Sequence, residues 1–417
     1  MKTNQKKESS LPQLAWYGPR EFKFRLPPGW QKRVYNMAGF NRPAMKTEEI
    51  KQCITNLIGS PPIRELARGK NRVAIIFDDL TRVTRAADIV PHILEELARA
   101  GVPDTGIQFV AATGAHLAWD RASFAKKLGE DALRRFPVYN HNPFDNCVYV
   151  GRTSHGNKVC INAEVMKCDL KIGIGCVVPH HTTGFGGGGK IVLPGISSME
   201  TIEHFHLLEG KYKANPKYKP FIGMGLFDDN PLRHEVEEGA KLAALDVKID
   251  CLVNMWGKTV AIYAGSLEPA FKAAVDKAKE HYRTPESQGE DIIIANTFAK
   301  ADEAVFVGLH IACKALNPNG GDVVLIANAP DGQVVHYLAG PWGKETGGRT
   351  DWKVKLPPHL NHLIFFSEYS DIACKGYFSE SNKVILLNKW ADVVQTLQSF
   401  HGTNAKVAVY PNADIQY

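Results

Sequence analysis

Residues 73–101 read VAIIFDDLTRVTRAADIVPHILEELARAG. The opening run, Val73 to Phe77, is apolar and β-branched, the composition of a buried strand. It stops abruptly at the polar segment Asp78, Asp79, Leu80, Thr81, Arg82. Ile89, Ile93 and Leu97 then recur every fourth residue up to Gly101, which predicts an amphipathic helix with Pro91 in its first turns. A strand, a polar loop and a helix in immediate succession are the repeating unit of a parallel α/β sheet.

The same pattern extends in both directions. Ile107–Ala112 reads as a second strand ending in Thr113, Gly114, Ala115 and His116, with a helix over Trp119–Leu128 behind it. Val148 and Val150 begin further strand. Leu170–Val178 is a third apolar run, and it opens into 179–206, PHHTTGFGGGGKIVLPGISSMETIEHFH. In open α/β sheets ligands bind beyond the strand ends, so the DDLTR, ATGAH and glycine-rich loops are predicted to converge. Upstream, Leu11–Asn41 suggests a hairpin or edge strand, and Thr47–Arg68 a helix interrupted around Gly59–Pro62. Downstream come a helix over Pro231–Leu245, strands at Val247–Leu252 and Thr259–Tyr263, and a helix over Glu268–Tyr282.

Arg283–Glu290 is polar with proline and glycine and reads as a linker. A second series then follows: strand Asp291–Ala295, helix Ala301–Leu316, strand Val323–Ala327, an insertion near 330–360, strands Leu363–Phe366 and Val384–Leu387, helix Trp390–Phe400 and strand Val407–Tyr410. The fold class expected is α/β in two domains, each a mainly parallel βαβ sheet flanked by helices. Residues 1–284 would form the first domain, 285–290 the linker and 291–417 the second, with the active site in the cleft between them.

The 179–206 stretch joins a His pair, a glycine run closed by Lys190, and a second His pair on a predicted helix. Gly184 to Lys190 fits GxxxxGK, but Ile191 stands where a nucleoside triphosphatase needs Ser or Thr for magnesium. What remains is a run whose bare backbone can approach a phosphate, or a flexible surface loop. His204 and His206 lie two apart, so a helix sends them to nearly opposite faces and only one can serve a site. Asp79 and Arg82 could orient a histidine and receive a carboxylate, or simply open a turn.

Composition narrows the field. A net charge of +6 suits small anions and lacks the basic stripe of a nucleic-acid binder. The 8 cysteines contain no CxxC pair, which disfavours zinc ribbons, iron–sulfur clusters and a disulfide framework. Met1–Ser10 is polar and basic, and no apolar run approaches the roughly 20 residues of a spanning helix, so a cytoplasmic protein without membrane partners is expected.

Taken together, these motifs resemble the nickel-pincer-nucleotide lactate racemase family. DDLTR matches the family's DDxTR, ATGAH its TGTH-like loop, and HHTTGFGGGGK its His followed by GFSGGRK. The resemblance implies His116 and His180 as acid/bases, Asp79 as the orienting carboxylate, and Arg82 with Lys314 as anion binders. It further implies that Lys190 tethers the cofactor, that Thr81, Gly184, Gly186, Gly187, Gly188 and Gly189 line it, and that His206 ligates Ni(II). The sequence departs from the family at Gly186 (Ser), Gly189 (Arg), Leu117 (Arg), and His310 and Ile311 (Tyr and Gln).

The implied reaction is racemisation or epimerisation of a small anionic 2-hydroxy acid. The carbinol hydrogen is too weakly acidic for a histidine to remove as a proton, so it leaves as hydride to a cofactor and returns through a keto acid. The implied partners are the substrate and the proteins that make the cofactor. Lost hydrogen-bonding groups at 310 and 311 argue against strict lactate specificity. The rival readings are a catalytically silent nucleotide- or anion-binding homologue and, less well supported without an HExxH motif, a metal hydrolase.

Overall fold

The computed structural model describes residues 8–339 and 353–417. The 340–352 part of the expected insertion lies outside the described residues. The chain divides into two compact units, one made of Asn41–Glu280 and the other of Met1–Phe40 with His281–Tyr417.

The Asn41–Glu280 unit is built on a six-stranded sheet ordered Thr259–Gly265, Val247–Val253, Leu170–Cys176, Val73–Asp78, Ile107–Ala112, Val138–Asn140. All neighbours are parallel except Thr259–Gly265, which returns antiparallel beside Val247–Val253. The Val73–Asp78, Leu170–Cys176 and Val247–Val253 strands are buried at every residue, as strands covered on both faces must be. That is why Val73–Phe77 reads as an unbroken apolar run, while in Val247–Val253 the buried Lys248 and Asp250 pair with each other at 2.7 Å. The predicted helix after the first of these is Val90–Arg99, with Pro91 in its first turn, where a missing N–H costs nothing. Asp120 caps Arg121–Leu128 by accepting from the Ser123 amide at 2.8 Å. Val148 and Val150 lie in Cys147–Arg152, which pairs antiparallel with Lys158–Asn162 outside the main sheet.

In the second unit six parallel strands run in the order Val384–Leu387, Leu360–Phe366, Gly321–Ile326, Ile292–Asn296, Lys406–Tyr410, Gln31–Val34. The expected domain boundary is corrected here. Gln31–Val34 pairs with Lys406–Tyr410, so residues 8–40 fold with the C-terminal segment. The expected 285–290 linker is also part of this unit: the Glu290 amide donates to Ala315 O at 3.1 Å, and the Asn317 amide to Glu290 O at 2.8 Å. The helix expected over Ala301–Leu316 is broken into Ala301–Glu303, Ala304–Val307 and Leu309–Ala315. A hairpin of Ser9–Gln13 with Arg20–Phe24 fulfils the N-terminal expectation.

Candidate functional site

Three adjacent parallel strands, Leu170–Cys176, Val73–Asp78 and Ile107–Ala112, end at one edge of the sheet in the Asn41–Glu280 unit. The loops that follow carry most of the predicted residues. Gly114 N–H donates to Gly195 O at 2.9 Å, tying the ATGAH loop to the segment that follows Lys190.

Asp79 is buried and faces His116, with Oδ2 2.8 Å from Nδ1. Its other oxygen accepts from the Thr81 amide at 3.0 Å and from the Thr81 hydroxyl. Burial alone would raise the Asp79 pKa, but His116, Arg82 and the Thr81 hydroxyl outweigh it and hold the carboxyl down to about 2. A carboxylate beside Nδ1 fixes the ring proton there, so Nε2 of neutral His116 carries the lone pair. Arg82 donates through Nη1 to the Thr81 hydroxyl at 2.8 Å and the Thr81 carbonyl at 3.0 Å.

His180 lies in a short ladder that pairs Pro179 with Phe185 and His180 with Gly184. Its Nδ1 accepts from the Thr182 amide at 3.1 Å and the Thr183 amide at 3.4 Å, which leaves the ring proton on Nε2. That nitrogen is 3.4 Å from Lys190 Nζ. The His180 ring stacks on His181, centroids 4.7 Å apart. Lys190 Nζ also lies 5.8 Å from the centre of the Phe205 ring.

His206 sits on Met199–Ala214, a helix capped by Ser198. Its Nδ1 donates to Ile202 O at 2.8 Å, so Nε2 is the nitrogen that can accept a proton or a metal. Burial lowers its pKa, helped by the charges of Lys190 and His116 and opposed by Glu209. Asp79, His116, His180, Lys190 and His206 therefore gather in one unit. His204 is partly buried, and its Nε2 has no hydrogen-bond partner among the described residues. Lys314 stands exposed in the last turn of Leu309–Ala315, in the other unit, with Ile311 buried on the same helix.

The glycine run is not a flexible surface loop. A Cβ on Gly184 would come 2.2 Å from Leu226 O, on Gly187 2.7 Å from Asp250 Oδ1, and on Gly189 2.8 Å from Val236 O. The Gly186 amide donates to Val178 O at 2.7 Å, and the Gly188 amide to Asp250 Oδ2 at 3.0 Å. At these positions bare backbone admits protein rather than ligand, and the two amides are engaged internally. The close packing sets Lys190 beside His180.

Several participants lie outside the motifs read from the sequence. Lys127, wholly buried, donates to the carbonyls of Asp79 (2.8 Å) and Arg82 (2.7 Å) and pairs with Asp78 (2.7 Å). Arg233, also buried, donates to Phe185 O and Gly187 O and stacks on Phe271 at 3.9 Å. Glu209 accepts from the Thr182 hydroxyl at 2.7 Å and from Lys213 at 2.6 Å. Burial would raise its pKa, yet His181, Lys213 and His206 bring it down to about 2. Glu209 could have been picked out: it follows His206 by three residues, one helical turn.

Comparison with known proteins bears on what this edge does. The Lactate racemase N-terminal domain family matches residues 17–215. A lactate racemase of Lactiplantibacillus plantarum is 30% identical over 305 residues, 72% of this chain and 70% of that protein. A second lactate racemase, from Thermoanaerobacterium thermosaccharolyticum, is 27% identical over 322 residues, 76% of this chain and 74% of its own. The structure of the lactate racemase apoprotein from the latter organism matches with a TM-score of 0.73 at 22% identity, covering 99% of both chains. A Thermotoga maritima protein of known structure matches at a TM-score of 0.63 and 17% identity, over 90% of this chain and 98% of that one.

Proposed function

Because the chain belongs to the lactate racemase family, whose members are racemases, we propose that it racemises or epimerises a 2-hydroxy acid by hydride transfer to and from a nickel-pincer nucleotide held at Lys190 and His206. The observation that carries this reading is the meeting of an Asp79–His116 pair (2.8 Å) and a His180–Lys190 pair (3.4 Å) at one sheet edge, with His206 close enough to feel Lys190 and His116.

The residues present fit such a group. Nδ1 of His206 is committed to a backbone carbonyl, which presents Nε2 as a single imidazole ligand. Among the described residues no three His, Cys, Asp or Glu side chains gather to hold a metal, so the pincer would supply most of the donor set. When bound, the group would supply a hydride acceptor, which the protein's own side chains lack.

The protein's residues manage the proton and the anion. His116 takes the substrate hydroxyl proton at Nε2, and the Asp79 carboxylate stabilises the imidazolium that results. His180 holds its proton on Nε2. To deliver it and be left a neutral imidazole, the ring must first take a proton from solvent at Nδ1, displacing the Thr182 and Thr183 amides, and His116 returns the proton it took to solvent. The opposite enantiomer uses the two histidines with roles exchanged. Arg82 receives the carboxylate through its planar fork. Leu117 is exposed beside His116 where the resembled family has Arg, and Ile311, which cannot replace an amide's hydrogen bonds, favours substrates other than lactate alone.

No helix among the described residues is long and apolar enough to cross a membrane. The test is coexpression with the cofactor-making proteins, followed by intact mass, metal analysis and a panel of chiral 2-hydroxy acids scored for loss of optical purity. An adduct on Lys190, nickel and racemisation are expected. Full activity in Lys190→Ala would refute the tether, and unaltered turnover without both His116 and His180 would refute the acid/base roles. A chain with neither adduct nor turnover would be a silent binding protein.

A further inference from the structure

We propose that Lys127 is a positioning residue of this site, clamping the main chain of the loop that carries Asp79 and Arg82. The inference rests on the reading of Asp79 and His116 given above, and it concerns a lysine that no motif marks.

An ammonium group has three N–H donors and no acceptor, and inside a protein each donor needs a partner. Lys127 is 0% exposed, and its Nζ meets three oxygens: it donates to Asp79 O at 2.8 Å and to Arg82 O at 2.7 Å, and it ion-pairs with Asp78 Oδ1 at 2.7 Å without an aligned hydrogen bond. Two of these are backbone carbonyls on either side of Leu80 and Thr81, so the backbone of the loop is what the lysine holds. The third closes a ring. Asp78 accepts from the Thr84 hydroxyl with its other oxygen, and Thr84 lies just beyond Arg82. The clamp therefore grips the loop at its start, middle and end.

What hangs from that loop is chemical. Asp79 Oδ2 meets His116 Nδ1, and the Arg82 guanidinium is braced on Thr81. Through its bonds to the Asp79 and Arg82 carbonyls, Lys127 sets the backbone from which both functional side chains project. It arrives from the last turn of Arg121–Leu128, a helix fixed at its start by the Asp120 cap. A displacement of about 1 Å at a reacting group can cost on the order of a hundredfold in rate. A clamp on the backbone that carries two such groups thus bears on catalysis without contacting substrate.

The test uses the full chain as Lys127→Met, Lys127→Arg and the double variant Lys127→Met with Asp78→Asn. The double variant removes the carboxylate that the first would leave buried without its partner, and so keeps a folded protein available. The first readout is the downfield proton resonance of the His116 imidazole hydrogen-bonded to Asp79, assigned by its loss in His116→Gln. The second is kcat and KM for the 2-hydroxy acid turned over by the loaded enzyme. In the folded double variant that resonance should be lost to solvent exchange, and kcat/KM should fall about 10- to 100-fold. Lys127→Arg, which keeps the charge but not the compact three-way fit, should fall between. A folded double variant that retains the wild-type His116 resonance overturns the proposal. If wild type turns over no 2-hydroxy acid, the functional reading falls while the resonance still decides the clamp.

Discussion

Gly186 and Gly188 lie two apart in one run, yet they differ in what they would accept. Gly188 has φ +56°, and a Cβ there would lie 2.2 Å from Arg233 Nη2 and 2.7 Å from the Phe271 ring. Left-handed backbone costs an L-residue roughly 1–2 kcal/mol, and overpacking a tight site about 1–3 kcal/mol more. Gly188→Ala should therefore lose about 2–5 kcal/mol of unfolding free energy in urea titration. Gly186 has no such conflict, since the nearest atom to its Cβ would be Val178 O at 3.6 Å. Gly186→Ser, which restores the residue of the resembled family, should be clearly less destabilising than Gly188→Ala. Equal stability of the two variants would contradict the packing account of the run. At Gly189 the substitution is coupled to its surroundings: Val236 O and the Ala240 Cβ, at 2.8 and 2.9 Å, occupy the space a longer residue would need.

The Met199–Ala214 helix delivers His206 and Glu209, and its placement depends on Thr201. This buried threonine donates its hydroxyl to Lys158 O at 2.8 Å and accepts from the Cys160 amide at 3.0 Å, while its carbonyl accepts from Asn157 at 3.1 Å. The helix is thereby stapled to the Lys158–Asn162 strand. Thr201→Val keeps the shape but removes the partner of a part-buried amide and carbonyl, at a cost of about 1 kcal/mol. It should also lower nickel retained at His206 in the loaded protein, measured by metal analysis against Thr201→Ser, which keeps the hydroxyl. Retention equal to wild type in a folded Thr201→Val would separate the staple from the metal site.

Such staples also show where sequence reading stops. The central strands were legible because full burial forces apolar runs such as Val73–Phe77, and the site loops because polar residues follow those runs at once. Gln31–Val34 was not legible as a sheet strand of the other unit. QKRV has no apolar alternation, and its placement comes from pairing with residues nearly four hundred positions away. Lys126 and Lys127 read alike in AKKL, and only the packed fold sends one of them to 0% exposure. The glycine run suggested a phosphate loop because the partners that fill its space, Val236, Arg233 and Asp250, arrive from later elements.

Across the molecule, protonation should link these local arrangements to stability. His141 is buried with Nε2 donating to Ser197 O at 2.8 Å and Nδ1 accepting from Asn162 at 3.2 Å, a pattern only the neutral ring can make. Burial, partly offset by the Ser197 carbonyl, brings its pKa down to about 4. Above about pH 6.5, the ordinary histidine value, folded and unfolded chains both hold it neutral and stability does not depend on it. Between there and about 4 only the unfolded chain gains the proton, so stability falls with pH by up to about 3 kcal/mol from this residue. His206, also lowered by burial, acts in the same direction. Asp79 and Glu209, both held to about 2, add their losses only below the ordinary carboxylate range, as pH falls toward 2. The acid limb should therefore begin near pH 6, two units above where carboxylates alone would start it. Urea unfolding at pH 7, 5.5 and 4.5 measures that limb, and His141→Gln should flatten it by up to one proton's worth of slope, about 1.4 kcal/mol per pH unit. An identical slope in the variant would mean that the buried imidazole is already charged in the fold, contrary to the two hydrogen bonds that hold it.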